Sequence, residues 1–436
     1  MTTRLRVLVA WRALRDFGSG GACARLFSLV ARGACAGLLF AAAPAAGEIV
    51  EISRVSDLEE LLSRPLHSVE IRLMPGEYHL NPKTGVDSTC GNCEDPATPI
   101  PMTYGIEIRG DSVSIIGPDD RSAVIYTHAG YGLYLNGCRD CALERLSITG
   151  GARDPDGRAT DAAVVVREGT VVIRGNRIFD NIGDSTVVAL TIVGIVGICG
   201  RENARMSIEG NEIVRNSWDG IALYRDASAV ITGNVVDGVD KARGSRIGGG
   251  RGVAIGLAWN AFADVRGNLV KRYWKGIGVF VDAWGCVQGN VIEDIIAWGI
   301  AYWDADKGKP VGFFEDNVIY GTGACGASIT CRQTVAPTLE CRFVRNVVTK
   351  TGQDPKYDDP EYYCYQTALA LHAVPEGFVI ADNLFYNNRR GSDDLPNNDI
   401  GRDEFLEKIR PVCERLSQSP VLKQSDFVRD FCSSAR

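Results

Sequence analysis

The sequence predicts an all-β solenoid of stacked parallel coils, on three observations. A short pattern (apolar, any residue, small or polar, Asn, any residue, apolar) recurs at Asn176, Asn211, Asn234, Asn268, Asn290, Asn317, Asn346 and Asn383. Successive asparagines lie 35, 23, 34, 22, 27, 29 and 37 residues apart, so a unit near 22 residues underlies them, within the range of solenoid repeats. Each unit also carries a glycine followed by alternating apolar residues, as in Gly220-Ile221-Ala222-Leu223 and Gly276-Ile277-Gly278-Val279. Short period-2 runs with no helical period between them read as strands. At a tight corner Asn tolerates the left-handed conformation, and in stacked coils equivalent side chains form a ladder. The eight asparagines are therefore scaffold.

The elements follow in order. Residues 1–46 hold an arginine-rich start, the apolar run Ala34 to Ala42, and Ala43-Pro44-Ala45, which is the pattern of a cleaved secretory signal and too short to span a bilayer. Ser56-Asp57-Leu58-Glu59 reads as a capping box opening a short helix that ends near Arg64 and closes the first coil. A strand to Tyr78 follows, then a Pro- and Cys-rich loop from Asn81 to Thr103, strands at Ile106 to Ile116 and Ala123 to Tyr126, and an early coil through Ile148. The repeats occupy the rest of residues 47–388. In the tail, 389–436, Phe405, Ile409, Val412, Leu416, Phe427, Val428 and Phe431 recur at helical spacing, which predicts two helices covering the last coil, tied by Cys413 and Cys432.

These repeats, with the strand and Pro-Gly turn of Val69-Glu70-Ile71-Arg72-Leu73-Met74-Pro75-Gly76-Glu77-Tyr78, resemble the right-handed parallel β-helix proteins of the pectate-lyase-like superfamily over Ile49 to Asn388. The resemblance implies that fold with a short N-terminal capping helix and a C-terminal helical cap. Lyases, hydrolases, epimerases and tailspikes share it, so it implies engagement of a polysaccharide or other glycan and leaves the activity open.

Composition narrows the classes. Forty-seven basic residues against 54 acidic give a net charge of -7, and no basic run recruits nucleic acid. Once the signal is removed twelve cysteines remain, an even number consistent with an oxidising, secreted or periplasmic setting. The pairs Cys90/Cys93 and Cys138/Cys141 have zinc-site spacing, but disulfides are expected there. Cys199 and Cys286 read as packed thiols. The chain is expected to be a monomer with no membrane span after signal cleavage.

The candidate site comes from aligning Gly197, Gly220, Gly252, Gly276, Gly299 and Gly326. Insertions at Asp184 to Val196, Gly238 to Arg251 and Gly352 to Gln366 then share one phase and form a wall, and Asp304 to Pro310 with Cys331 to Cys341 form the opposite one. The residues before the glycines are Val196, Asp219, Arg251, Lys275, Trp298 and Cys325, a column holding an acid, an arginine and a lysine. Four residues after them come Arg201, Tyr224, Gly256, Phe280, Trp303 and Thr330, with small residues between. Tyr224, Phe280, Trp298 and Trp303 would stack on sugar faces while cations pair with carboxylate or sulfate; the plainer reading is a surface ion-pair ladder.

Two chemistries follow from the resemblance. In a uronate lyase Lys275 would be the base and Arg251 the carboxylate clamp. In a glycosidase Asp219 would pair with Asp282 or Asp304, although the Asn-Thr-Asp and Gly-His-Gly signatures of the polygalacturonase branch are missing at that phase. A non-catalytic surface solenoid binding glycan or protein is the third reading. Ca²⁺ is the one candidate cofactor, at Asp154 to Asp161 or at Asp354, Asp358, Asp359 and Glu361.

Overall fold

Each coil turns at the residue before its repeat asparagine. Gly175, Gly210, Gly233, Gly267 and Gly289, and the non-glycines Asp316, Arg345 and Asp382 at the same position, all have φ between +56° and +66°. The asparagines themselves are not left-handed, which corrects the sequence expectation. They follow the corner and point inward, where all but the last are fully buried. Each side chain then satisfies backbone in the neighbouring coils. Asn268 Oδ1 accepts from both the backbone and side-chain amides of Asn234 at 2.9 Å, and its Nδ2 donates to Ile231 O at 2.9 Å and to Asn290 Oδ1 at 3.0 Å.

The computed structural model describes residues 47–155, 161–191, 193–332, 340–358 and 367–432. The expected signal segment lies outside them, as do the central residues of the Asp154 to Asp161 loop and most of the Cys331 to Cys341 insertion. Among the described residues three sheets run the length of a right-handed β-helix, with 12, 11 and 11 strands; we call them sheets 1, 2 and 3. Pairing is parallel throughout except for one hairpin on sheet 3, Lys83–Asp87 with Ile100–Ile108. The apolar residues flanking each Asn stack into a continuous interior: Ile173, Ile208, Ile231, Val265, Val287, Phe314 and Phe343 on sheet 1, and Ile178, Ile213, Val236, Val270, Ile292, Ile319 and Val348 on sheet 2. All fourteen are fully buried, worth roughly 1.5–3 kcal/mol for each large side chain.

Helix α1, Val55–Leu61, buries Leu58 against the first coil. Ser56 does not cap it; the N-cap position is Arg54, whose guanidinium bonds Asp57 at 2.9 Å. Helix α2, Ser185–Thr191, occupies the first insertion.

The tail forms α3, Arg402–Lys408, and α4, Arg410–Gln418, followed by a 3₁₀ turn and a π turn. It does more than meet the last coil. Phe405, Ile409, Cys413, Leu416, Leu422 and Phe427 pack on Leu269, Val291, Val318 and Val347, an outward column along sheet 2. Buried Glu293 holds the segment in place by accepting the Asp426 and Phe427 N–H groups at 2.8 and 3.2 Å. Leu371, Val379 and Ile380, on the last strands of sheets 3 and 1, stay exposed at 47, 39 and 36 %.

Disulfides join Cys90–Cys93, Cys138–Cys141 and Cys413–Cys432. Cys199 is a buried thiol as expected. Cys286 is not: it is disulfide-bonded.

Candidate functional site

The outward face of sheet 3 depends on its register, and the register departs from the glycine alignment at one insertion. Gly276 and Gly299 do stack, because a Cβ on Gly276 would meet the Gly299 carbonyl at 2.3 Å and Ile292 at 2.5 Å. Gly252 is small for another reason: a Cβ there would lie 2.0 Å from the Asp219 carboxylate. Ile221 pairs with Ile255, and Val253 pairs with Lys275. Val253, not Arg251, therefore stands between Asp219 and Lys275.

Arg251 ends the Gly238 to Arg251 insertion, 1 % exposed, with Nε donating to Gly244 O at 3.1 Å and the guanidinium 5.8 Å from the Trp218 ring. The same two-residue shift puts Ala258 where Gly256 was expected, and Gly256 on the floor.

Asp219 is 5 % exposed. It accepts from Val253 N at 2.6 Å and from the Tyr224 hydroxyl at 3.4 Å. Burial pushes its carboxyl up to about 6, against the pull of the Val253 amide and the charge of Lys275. Burial likewise lowers the Lys275 amine to about 8, opposed by the charge of Asp219. The two groups therefore feel each other across Val253.

Lys275 sits in an aromatic box. Its Nζ is 3.5 Å from the centroid of Trp274, 5.4 Å from Trp298 and 5.6 Å from Trp303. The rings brace one another, with Trp274 and Trp303 5.6 and 5.3 Å from Trp298. Among the described residues the Lys275 ammonium has no hydrogen bond or ion pair. Trp274, the nearest ring, escaped the sequence reading because it immediately precedes the strand Lys275–Phe280, outside the alternation used to choose outward positions.

The remaining predicted residues divide. Phe280 lies beside the box, 5.6 Å from its Trp303 ring. Phe280 lies over Gly278, where a Cβ would meet its ring at 2.2 Å, and Trp303 Nε1 donates to Ser328 at 2.9 Å. The small floor residues thus make room for the protein's own rings. Asp282 accepts from Asn260 N at 2.8 Å and Asp304 from Asp306 N at 3.1 Å, so both carboxylates serve turns. Arg201 is wholly buried and ion-paired with Asp87.

The smooth groove is also interrupted. Loop 88–99 crosses sheet 3: Arg225 Nε donates to Gly91 O at 3.2 Å, and Trp259 Nε1 to Asn92 Oδ1 at 3.2 Å. Gly91 rests on Arg201 and Tyr224, while Val165, Cys199 and Ala222 beneath are fully buried. The wall on the other side is real in part, since Arg243 pairs with Asp354 at 3.4 Å and links two insertions. Among the described residues no group of three or more His, Cys, Asp or Glu is placed to hold a metal ion. Asp154 is taken by Thr103, and Asp161 by Arg153 and Asp154 N.

The pH dependence of stability tests the Asp219 environment. Its folded value, about 6, exceeds the unfolded value of about 3.9, so the native state holds the proton more tightly. Its contribution is most favourable below pH 4 and is lost as pH rises through 6, by about 3 kcal/mol in total. Asp219→Asn escapes that loss. Thermal unfolding should show the variant more stable than the parent at pH 8, with the advantage vanishing toward pH 4.

Comparison with known proteins agrees on the fold. The family described as "Right handed beta helix region" matches residues 100–311. A search of curated proteins finds no match. Among solved structures, a double mutant of a periplasmic alginate epimerase is 11 % identical, covering 78 % of this chain and 85 % of its own with TM-score 0.37. An exopolygalacturonase from Thermotoga maritima is 10 % identical, with coverage of 70 and 88 % and TM-score 0.37. An alginate lyase from a Paenibacillus species is 14 % identical, with coverage of 66 and 96 % and TM-score 0.29.

Proposed function

We propose that this right-handed parallel β-helix, of pectate-lyase-like fold, is an exported protein that engages an acidic polysaccharide where Lys275 is boxed by Trp274, Trp298 and Trp303. One observation carries the reading: an ammonium 3.5 Å above an indole, with no hydrogen bond or ion pair to a described residue. Such a cation is open to an incoming carboxylate, while ring faces beside it suit the C–H face of a pyranose. The disulfides Cys90–Cys93, Cys138–Cys141 and Cys413–Cys432 support an oxidising destination.

Calorimetric titration with polygalacturonate, alginate and neutral dextran tests this. Binding to either uronate polymer and not to dextran supports it; equal binding to all three, or to none, sinks it.

A β-elimination at the same place is the second reading, favoured by the lowered Lys275 amine. Near pH 8 about half of it is neutral and able to take a proton from the carbon beside a uronate carboxylate. With Arg251 tied into its loop, the counter-charge for that carboxylate would come from elsewhere, Ca²⁺ being the candidate. Unsaturated product followed by ultraviolet absorbance, with and without Ca²⁺, should then form at a rate that rises with pH through about 8. An Asp219-based acid pair is less well supported, because Asp282 and Asp304 are engaged by turn amides.

A further inference from the structure

We propose that the opposite end of the sheet 3 face holds a second, separate site for a single neutral sugar ring, in the cavity between the Lys83–Asp87/Ile100–Ile108 hairpin and the strands Tyr131–Asn136 and Ala162–Arg167. The cavity measures about 280 Å³ and is lined by Asp87, Tyr104, Glu107, Tyr134, Asn136 and Arg167, among others. That is at the small end of ligand cavities, roughly 300–1,000 Å³, so one ring fits and a chain segment does not.

Its side chains are preorganised. Glu107 pairs in register with Tyr134, and Asn136 with Arg167, so the lining is carried on hydrogen-bonded strands rather than on a free loop. Asn136 Nδ2 donates to Glu107 Oε1 at 2.9 Å, and Arg167 Nη1 to Asp87 at 3.1 Å. Half-buried Tyr104 offers ring surface beside the buried Tyr134, and Glu107, Asn136 and Arg167 offer acceptors and donors at one end, the mixture a polyol requires. Arg167 Nε is buried and turned toward the Glu202 carboxylate at 3.9 Å, which fixes the guanidinium in place at the cavity edge.

Charge selects the ligand class. Three guanidinium groups, Arg109, Arg167 and Arg201, face four carboxylates: Arg109 pairs with Glu107, Arg167 with Asp87, Glu168 and Glu202, and Arg201 with Asp87 and Glu202. A uronate or phosphate would enter an excess of negative charge, whereas a neutral ring can donate a hydroxyl to Glu107, the lining carboxylate that is not wholly buried. Loop 88–99, closed by Cys90–Cys93, lies between this cavity and the Lys275 box. The inference needs neither Lys275 nor Asp219 and stands apart from the reading above.

Saturation-transfer NMR on the full chain with the methyl pyranosides of glucose, galactose and mannose tests it. At least one should receive transfer, with its Kd weakened at least about fivefold by the near-isosteric Glu107→Gln and by Tyr104→Ala, and unchanged by Lys275→Met. Thermal melts confirm that the variants fold. Silence from all three sugars overturns the proposal, as does transfer that survives both pocket substitutions. Transfer lost only in Lys275→Met also overturns it and places the ring in the aromatic box instead.

Discussion

Asn268→Ala is expected to lower the free energy of unfolding by about 3–5 kcal/mol. The side chain makes four hydrogen bonds in a fully buried corner. Alanine leaves the Asn234 backbone N–H and the Ile231 carbonyl without these partners and takes one acceptor from the Asn234 side-chain amide, and each orphaned buried group costs about 1–3 kcal/mol. Water cannot readily repair the loss, because Val265, Val270 and Ile292 close around the site with no exposed surface. Denaturant unfolding measures the change. The exposed Asn398 provides the control, and Asn398→Ala should fall within about 0.5 kcal/mol of the parent. A comparable midpoint for the two variants would remove the ladder from the account of stability.

Lys275→Met should weaken uronate polymer binding by roughly 10- to 150-fold, the equivalent of one charge-assisted hydrogen bond of about 1.5–3 kcal/mol. Methionine keeps the apolar stem among the three indoles and removes only the charge. If the box also performs elimination, product formation should fall to background in the same variant.

Stability should move the other way. Lys275 has a folded value of about 8 against roughly 10.4 unfolded, so the unfolded chain binds the proton more tightly. The native state is penalised below pH 8, and the penalty disappears as pH rises through 10. Lys275→Met should therefore melt higher than the parent at pH 7 and lose that margin by pH 10. A residue that costs stability while its loss abolishes binding is retained for function. Unchanged affinity in Lys275→Met would reduce the box to packing.

Much of the scaffold was legible because it is repetitive. Sixteen apolar residues at fixed offsets from eight asparagines leave few arrangements that bury them all, and one coil's solution serves the next. Disulfide bonding of the CxxC cysteines was legible from the expected oxidising setting, but their connectivity was not; the structure closes each pair on itself. The candidate site was half legible. Lys275, Trp298, Trp303 and Phe280 come together from uninterrupted coils where counting residues suffices. Arg251 was misplaced because Gly252 resembles a repeat glycine yet is small for the sake of Asp219.

Local chemistry by itself therefore determined the kind of coil, its corners and its interior, since period, side-chain volume and amide satisfaction act between residues a fixed distance apart. Tertiary structure alone decided which strand residues stand side by side after the Gly238 to Arg251 insertion, where the Cys90–Cys93 loop lies across sheet 3, and how far the C-terminal helices extend along sheet 2. The first depends on how one insertion packs between neighbouring coils and the other two on contacts between segments more than a hundred residues apart, and no periodicity in the chain carries a signal for either.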